Sequence, residues 1–134
     1  MTLMTWTAAQ FATKITETDG EHQQIFNMVN DLHASVGSDR SSIGAKLDAL
    51  IGFVAKHFKT EEDLMKNHGY PEFDSHKAAH DALVTTCLDL QKKFKAGETE
   101  ITADTTMFVR DWLYGHIPSI DKNYGPFLNA KGVS

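Results

Sequence analysis

Two pairs of polar residues stand four apart in stretches with helical apolar spacing: His57 with Glu61, and His76 with His80. Four residues is a little over one helical turn, so each pair lies on one face of its helix. Those faces are otherwise apolar, which points the pairs into the interior. Buried polar groups without partners are strongly disfavoured, so these residues need partners. His22 and His116 occupy similar stripes, and Asp121 follows His116 by five residues.

The heights of the seven residues agree. His22 falls about 4 residues into the first predicted helix, and His76 and His80 about 5 and 9 into the third, at ~1.5 Å per residue. Those helices run away from one end of the bundle. His57 and Glu61 lie near the finish of the second helix, and His116 and Asp121 near the finish of the fourth, which run towards that same end. All seven therefore converge on one layer of the core. A lone His-x-x-x-His is more often coincidence or surface chemistry than a metal site, and His-x-x-x-Glu is weaker still. Seven donors from four helices at one level are not explained that way.

Five imidazoles and two carboxylates are too many for one ion, and more than a closed tetrahedral zinc site requires. Two six-coordinate ions offer about a dozen positions. The imidazoles, both oxygens of each carboxylate, and an oxo or hydroxo group shared by the ions fill all but one. An open position on a redox-active pair is what a small ligand such as dioxygen requires. Imidazole-rich sites suit iron, copper, nickel or zinc, so donor type leaves the metal open.

Four helices must position these groups, over residues 18–36, 42–67, 71–95 and 102–125, behind an N-terminal arm of residues 1–16 carrying Trp6 and Phe11. The first stripe is His22, Ile25, Phe26, Val29, Leu32 and Val36, with Thr18 and Glu21 spaced as a capping box. The second is Ile43, Leu47, Leu50, Val54, His57, Glu61 and Met65, stopped at His68-Gly69, with Pro71 suited to the first turn of the next helix. The third carries His76, His80, Leu83, Cys87, Leu90 and Phe94, and the fourth Val109, Trp112, Leu113, His116 and Ile120. Short connections make sequential helices antiparallel, which predicts an all-α, up-down-up-down four-helix bundle in a single domain spanning residues 1–134. The five-residue step from His116 to Asp121 does not fit a plain helix, because it rotates ~500° and leaves them ~140° apart. Pro118 lacks an N–H, so a kink, a wide turn or a helix end is expected between them.

Composition narrows the class of function. A formal net charge of −5 argues against nucleic acid or an anionic membrane as the main partner. Cys87 is the only cysteine, which excludes an intramolecular disulfide and suits a reducing cytoplasm. The Met1–Trp6 segment does not read as a signal peptide, and the longest apolar run, Ala49 to Ala55, is far below the ~20 residues of a membrane-spanning helix. A soluble, cytoplasmic protein is expected. His33 reads as a surface or rim residue, and His68 as a favourable imidazole at a helix C-terminus. Cys87 reads as a small core residue, Met65 and Trp112 as packing, and Gln91-Lys92-Lys93 as a solvated face.

Four stretches carry a resemblance: Asp19-Gly20-Glu21-His22-Gln23, His57-Phe58-Lys59-Thr60-Glu61-Glu62, His76-Lys77-Ala78-Ala79-His80 and Trp112-Leu113-Tyr114-Gly115-His116-Ile117-Pro118-Ser119-Ile120-Asp121. With these the chain resembles the hemerythrin family, closely its single-domain bacterial members, over essentially its whole length. The resemblance implies two non-haem iron ions with an oxo or hydroxo bridge, binding dioxygen reversibly. It implies that His76, His80 and His116 hold one iron, that His22 and His57 hold the other, and that Glu61 and Asp121 bridge them. Dioxygen would add at the iron with two histidines and leave as dioxygen, and Leu113, one turn before the last histidine, would cover the pocket.

Storage or delivery of oxygen to an oxygen-consuming enzyme is then the leading expectation, since the chain leaves no room for a sensor's output domain, though a separate partner could read the oxygenated state. The competing class is a di-iron oxidase, peroxidase or nitric-oxide-handling protein. Oxygen-activating di-iron bundles favour carboxylates and Glu-x-x-His motifs, whereas nitrogen donors dominate here. No further acid or base with a clear role stands out beside the donors. Iron storage or a closed structural site fits poorly with one open position.

Overall fold

Every regular element among residues 3–134, the residues described by the computed structural model, is helical. A single turn, α1 (Ala8–Phe11), interrupts the arm. The long helices follow: α2 (Thr16–Ala34), α3 (Arg40–Asn67), α4 (Phe73–Lys95) and α5 (Ala103–His116). A π-helical turn (Ile117–Asp121) then leads into α6 (Lys122–Ala130). α2 packs against both α3 and α5, and α3 against α4, in the up-down-up-down bundle expected from the sequence.

The helix starts differ from expectation for local reasons. Thr18 and Glu21 do not form a capping box. α2 begins at Thr16, so Thr18 lies inside its first turn and donates to the Ile15 carbonyl at 3.2 Å, while Glu21 turns to another helix. α3 begins at Arg40 because Asp39 is the cap, its carboxylate accepting from the Ser42 N–H at 2.9 Å. Pro71 sits in the turn ahead of α4 rather than in its first turn. The last turn of α3 ends as foreseen: Tyr70 N–H reaches the Met65 carbonyl at 2.9 Å and Gly69 N–H the Lys66 carbonyl at 3.3 Å. That pattern needs a left-handed residue, and Gly69 has φ +72°.

The apolar stripes merge into two clusters. The larger joins Phe26, Val29, Leu32, Leu47, Leu50 and Leu113 with arm residues Met4 and Phe11. The smaller joins Ile15, Met65, Tyr70, Tyr124 and Leu128. His57 and Glu61 fall between Leu50 and Met65 along α3, so the polar layer separates the two clusters. Phe11 anchors the arm, edge-on to Phe26 at 5.1 Å and stacked on Tyr114 at 5.3 Å. Asn30 clamps Met4, accepting from its N–H at 2.8 Å and donating to its carbonyl at 2.9 Å. Cys87 is only half-buried, not a core residue, and burial pushes its thiol pKa up. Ile120 is also only half-buried, with Ile117 taking the interior place, a shift caused by the π turn.

Candidate metal centre

The seven predicted donors all lie buried in one layer, and none is more than 5% exposed. They fall into two groups whose donor atoms lie within 4.8 Å of one another: His76, His80, His116 and Asp121, and His22, His57, Glu61 and Asp121. Asp121 reaches both sides. Its Oδ1 lies 2.8 Å from Nε2 of both His76 and His116, and its Oδ2 lies 3.1 Å from His22 Nε2. Glu61 is split likewise, with Oε1 3.2 Å from His80 Nε2 and Oε2 3.5 Å from His22 Nε2. His57 Nε2 stands 3.4 Å from Glu61 Oε1.

The π turn is what places Asp121. Lys122 N–H bonds back to the Ile117 carbonyl, five residues earlier, and the widened turn brings residue 121 over residue 116. Pro118 cannot supply the ordinary α-helical bond to residue 114, which favours the widening. Of the alternatives open in the sequence, the wide turn is the one the chain adopts.

Carboxylates behind the donors orient two of the imidazoles. Glu21 accepts from His57 Nδ1 at 2.7 Å, and Glu62 from His80 Nδ1 at 3.0 Å. A ring that donates from Nδ1 directs the lone pair of Nε2 inward, the tautomer a metal requires. Tyr124 Oη donates to Glu61 Oε2 at 2.6 Å. Phe58 lies flat on His80 at 3.8 Å, and Trp112 on His116 at 4.2 Å, so both rings are held by packing as well. Glu21, Glu62 and Tyr124 were missed in the sequence. The two glutamates adjoin donors in the chain, and Tyr124 follows Asp121 by one helical step of three, which is the signal that could have found it.

The donor set suits cations. His22 Nε2, His57 Nε2, His80 Nε2, Glu61 Oε1 and both Asp121 oxygens are buried without a hydrogen-bond partner, although they approach one another closely. His76 Nε2 and His116 Nε2 face each other at 3.2 Å, as two nitrogens do that converge on one ion. Buried donors left unpaired are costly, and an ion placed among them removes the cost. Burial presses the His57 pKa down, yet the Glu61 charge and the bonds from Glu21 and Glu61 outweigh it and carry it up to about 10. Burial also opposes ionisation of Glu61, whose carboxyl is nonetheless held well below its usual range by His57, His22 and His80. Burial together with the charges of Glu61 and Asp121 pushes the Tyr124 phenol well up, so it stays a donor. The layer is electron-rich and calls for positive charge.

Leu113, one turn before His116, is buried and lines an apolar cavity of about 30 Å³ with Val54, Leu83 and Leu50 among others. Val54 and Leu83 are each one turn from a donor, so the cavity abuts the layer. Outside it, His33 Nδ1 pairs with Thr106 Oγ1 at 2.8 Å, linking α2 to α5. His68 Nδ1 meets the Leu64 carbonyl at 2.8 Å, as expected at a helix end.

The comparisons agree with this geometry. The family described as "Hemerythrin HHE cation binding domain" matches residues 13–128. A protein named bacteriohemerythrin from Methylococcus capsulatus is 57% identical over 131 residues, covering 97% of this chain and 100% of that one. Another bacteriohemerythrin, from Stenotrophomonas maltophilia, is 31% identical over 84% of this chain and 73% of its own. The crystal structure of wild-type hemerythrin superposes with a TM-score of 0.93 at 57% identity, covering 94% of this chain and 98% of that one. That of a leucine-to-alanine hemerythrin variant gives 0.94 at 56% identity, with coverages of 96% and 98%. With the bundle, the donor layer and near-complete coverage in agreement, the chain belongs to the hemerythrin family.

Proposed function

We propose that this protein binds dioxygen reversibly at a di-iron centre, with His76, His80 and His116 holding one iron, His22 and His57 the other, and Glu61 and Asp121 bridging them. The observation that carries the assignment is the division of Asp121, one oxygen towards His76 and His116 and the other towards His22. When bound, the iron pair supplies the electrons that dioxygen takes up and returns. The chain's own residues make that exchange reversible. Glu21 and Glu62 hold His57 and His80 in the binding tautomer. Leu113 forms the apolar wall of the oxygen pocket and limits access of water and protons to the centre. It is an oxygen-binding protein rather than an enzyme, and storage or delivery to an oxygen-consuming enzyme in a reducing cytoplasm is its proposed setting. No helix among the described residues is long and apolar enough to cross a membrane.

The test is to reduce the iron-loaded protein, oxygenate it, and remove oxygen under vacuum. One dioxygen per iron pair, and return of the colourless diferrous form over several cycles, is the expected result. Peroxide or water accumulating with each exposure overturns the carrier reading in favour of an oxidase.

A further inference from the structure

Tyr124 follows Asp121 by three residues, so the π turn that swings the carboxylate inward swings the phenol in with it. Its ring is fully buried and touches the donor layer twice. Oη donates to Glu61 Oε2 at 2.6 Å, and the ring lies near-parallel to His76, with centroids 5.8 Å apart and planes at 26°. The seat is fixed from behind. A Cβ on Gly125 would come 1.9 Å from the Thr13 carbonyl oxygen, so α6 lies against the arm at a distance only glycine permits. The Thr18 hydroxyl partly offsets the upward push that burial and the carboxylates exert on the phenol pKa. It also lies 3.0 Å from Thr13 Oγ1, and the Thr13 N–H and O–H both reach Asp19 Oδ1 at 2.7 Å. Arm, α2 and α6 converge on one phenol.

The two oxygens of Glu61 therefore differ. Oε1 faces His80 and His57 and has no hydrogen bond. Oε2 faces His22 and accepts the bond from Tyr124. A hydrogen bond to a ligand carboxylate draws electron density from the oxygen that receives it and tunes the metal behind it. We propose that Tyr124 is a positioning residue that holds Glu61 across the metal pair and weakens Oε2 as a donor, leaving the metal beside His22 the more electron-poor of the two. The inference rests on the di-iron reading above. Loss of the bond strengthens the carboxylate as a donor, favours the ferric state and lowers the reduction potential.

The experiment compares the parent chain, Tyr124→Phe and Tyr124→3-fluorotyrosine, each loaded with iron, by iron content, visible absorption of the oxidised pair and reduction potential. Phenylalanine keeps the ring and removes the donor; fluorination strengthens the donor at nearly constant shape. The expected potentials rise in the order phenylalanine, tyrosine, fluorotyrosine, with absorption shifting in step and two irons in every chain. A merely structural tyrosine would alter stability or iron content but would not order the potentials by donor strength. Equal potentials in the parent and fluorotyrosine chains overturn the proposal, and that comparison decides alone if the phenylalanine chain fails to fold. A parent chain that does not take up two irons overturns the di-iron reading itself, and this inference with it.

Discussion

Removing the Glu21 carboxylate weakens iron retention by an amount the geometry sets. Outer partners of metal-ligating histidines are worth about 10–100-fold in metal affinity, or about 1.4–2.8 kcal/mol. The Glu21–His57 bond, at 2.7 Å, is at the short end for a charge-assisted N–H···O contact, and the Glu21 side chain is only 16% exposed. Solvent therefore replaces it poorly. Thr60 Oγ1, 3.4 Å from the other Glu21 oxygen, helps fix the carboxylate. Glu21→Ala removes both the acceptor and the charge, and falls near the upper end, about 100-fold. Glu21→Gln keeps an oxygen for the Nδ1 proton but loses the charge, and falls near tenfold. The assay is competition against a ferrous chelator, reading iron retained per chain at equilibrium, with the Glu62 pair of variants run alongside for His80. A Glu21→Ala chain that keeps both irons as tightly as its parent refutes the reasoning.

Three other perturbations test neighbouring parts of the account. Leu113→Ala costs about 3–5 kcal/mol of stability, because it enlarges a cavity already beside the layer; it also speeds conversion of the oxygenated form to the inert ferric form, and an unchanged conversion rate shows that Leu113 does not guard the pocket. His76→Ala and His80→Ala each lower iron content, whereas His33→Ala leaves it intact and costs about 1 kcal/mol from the lost Thr106 bond; full occupancy in both donor variants removes the assignment. In the chelated chain, folded His57 holds its proton up to about 10 against 6.5 for the free side chain. The folded state then binds more protons, so this contribution is complete below the lower value and vanishes as pH rises through the upper one. Urea midpoints of the iron-free protein fall over that window, and a rise would contradict the sign.

The bundle was legible because each apolar stripe keeps the helical period and the breaks between stripes are short. The donor layer was legible because antiparallel helices convert position along the chain into height, which brought His22 and His116 to one level from opposite ends of the sequence. Helix starts were harder, since Asp39 and Ser42 are both good caps and only the folded backbone chooses between them. Glu21 and Glu62 were hidden for a different reason. Each sits beside a donor on its own helix but serves an imidazole on another, His57 and His80 respectively, and sequence periodicity says nothing of what a neighbouring helix presents. The π turn was half legible: the five-residue step ruled out a plain helix without choosing its replacement.

That turn also says which kind of genetic change the centre tolerates least. A substitution at Ser119 or Ile120 alters one side chain and leaves the backbone path in place. Deleting either residue shortens the step from His116 to Asp121 to four, so a continuous α-helix still keeps both on one face. Inserting a residue there instead adds a step to the π turn. Everything downstream then turns by ~100° relative to α5. Asp121 and Tyr124 leave the core together, and Gly125 no longer meets Thr13, so the Asp121 carboxylate, the phenol that holds Glu61 and the arm contact are lost in a single event. The centre is thus exposed to added length in this turn far more than to drift in residue type, and libraries built from point substitutions alone would overlook its most fragile coordinate.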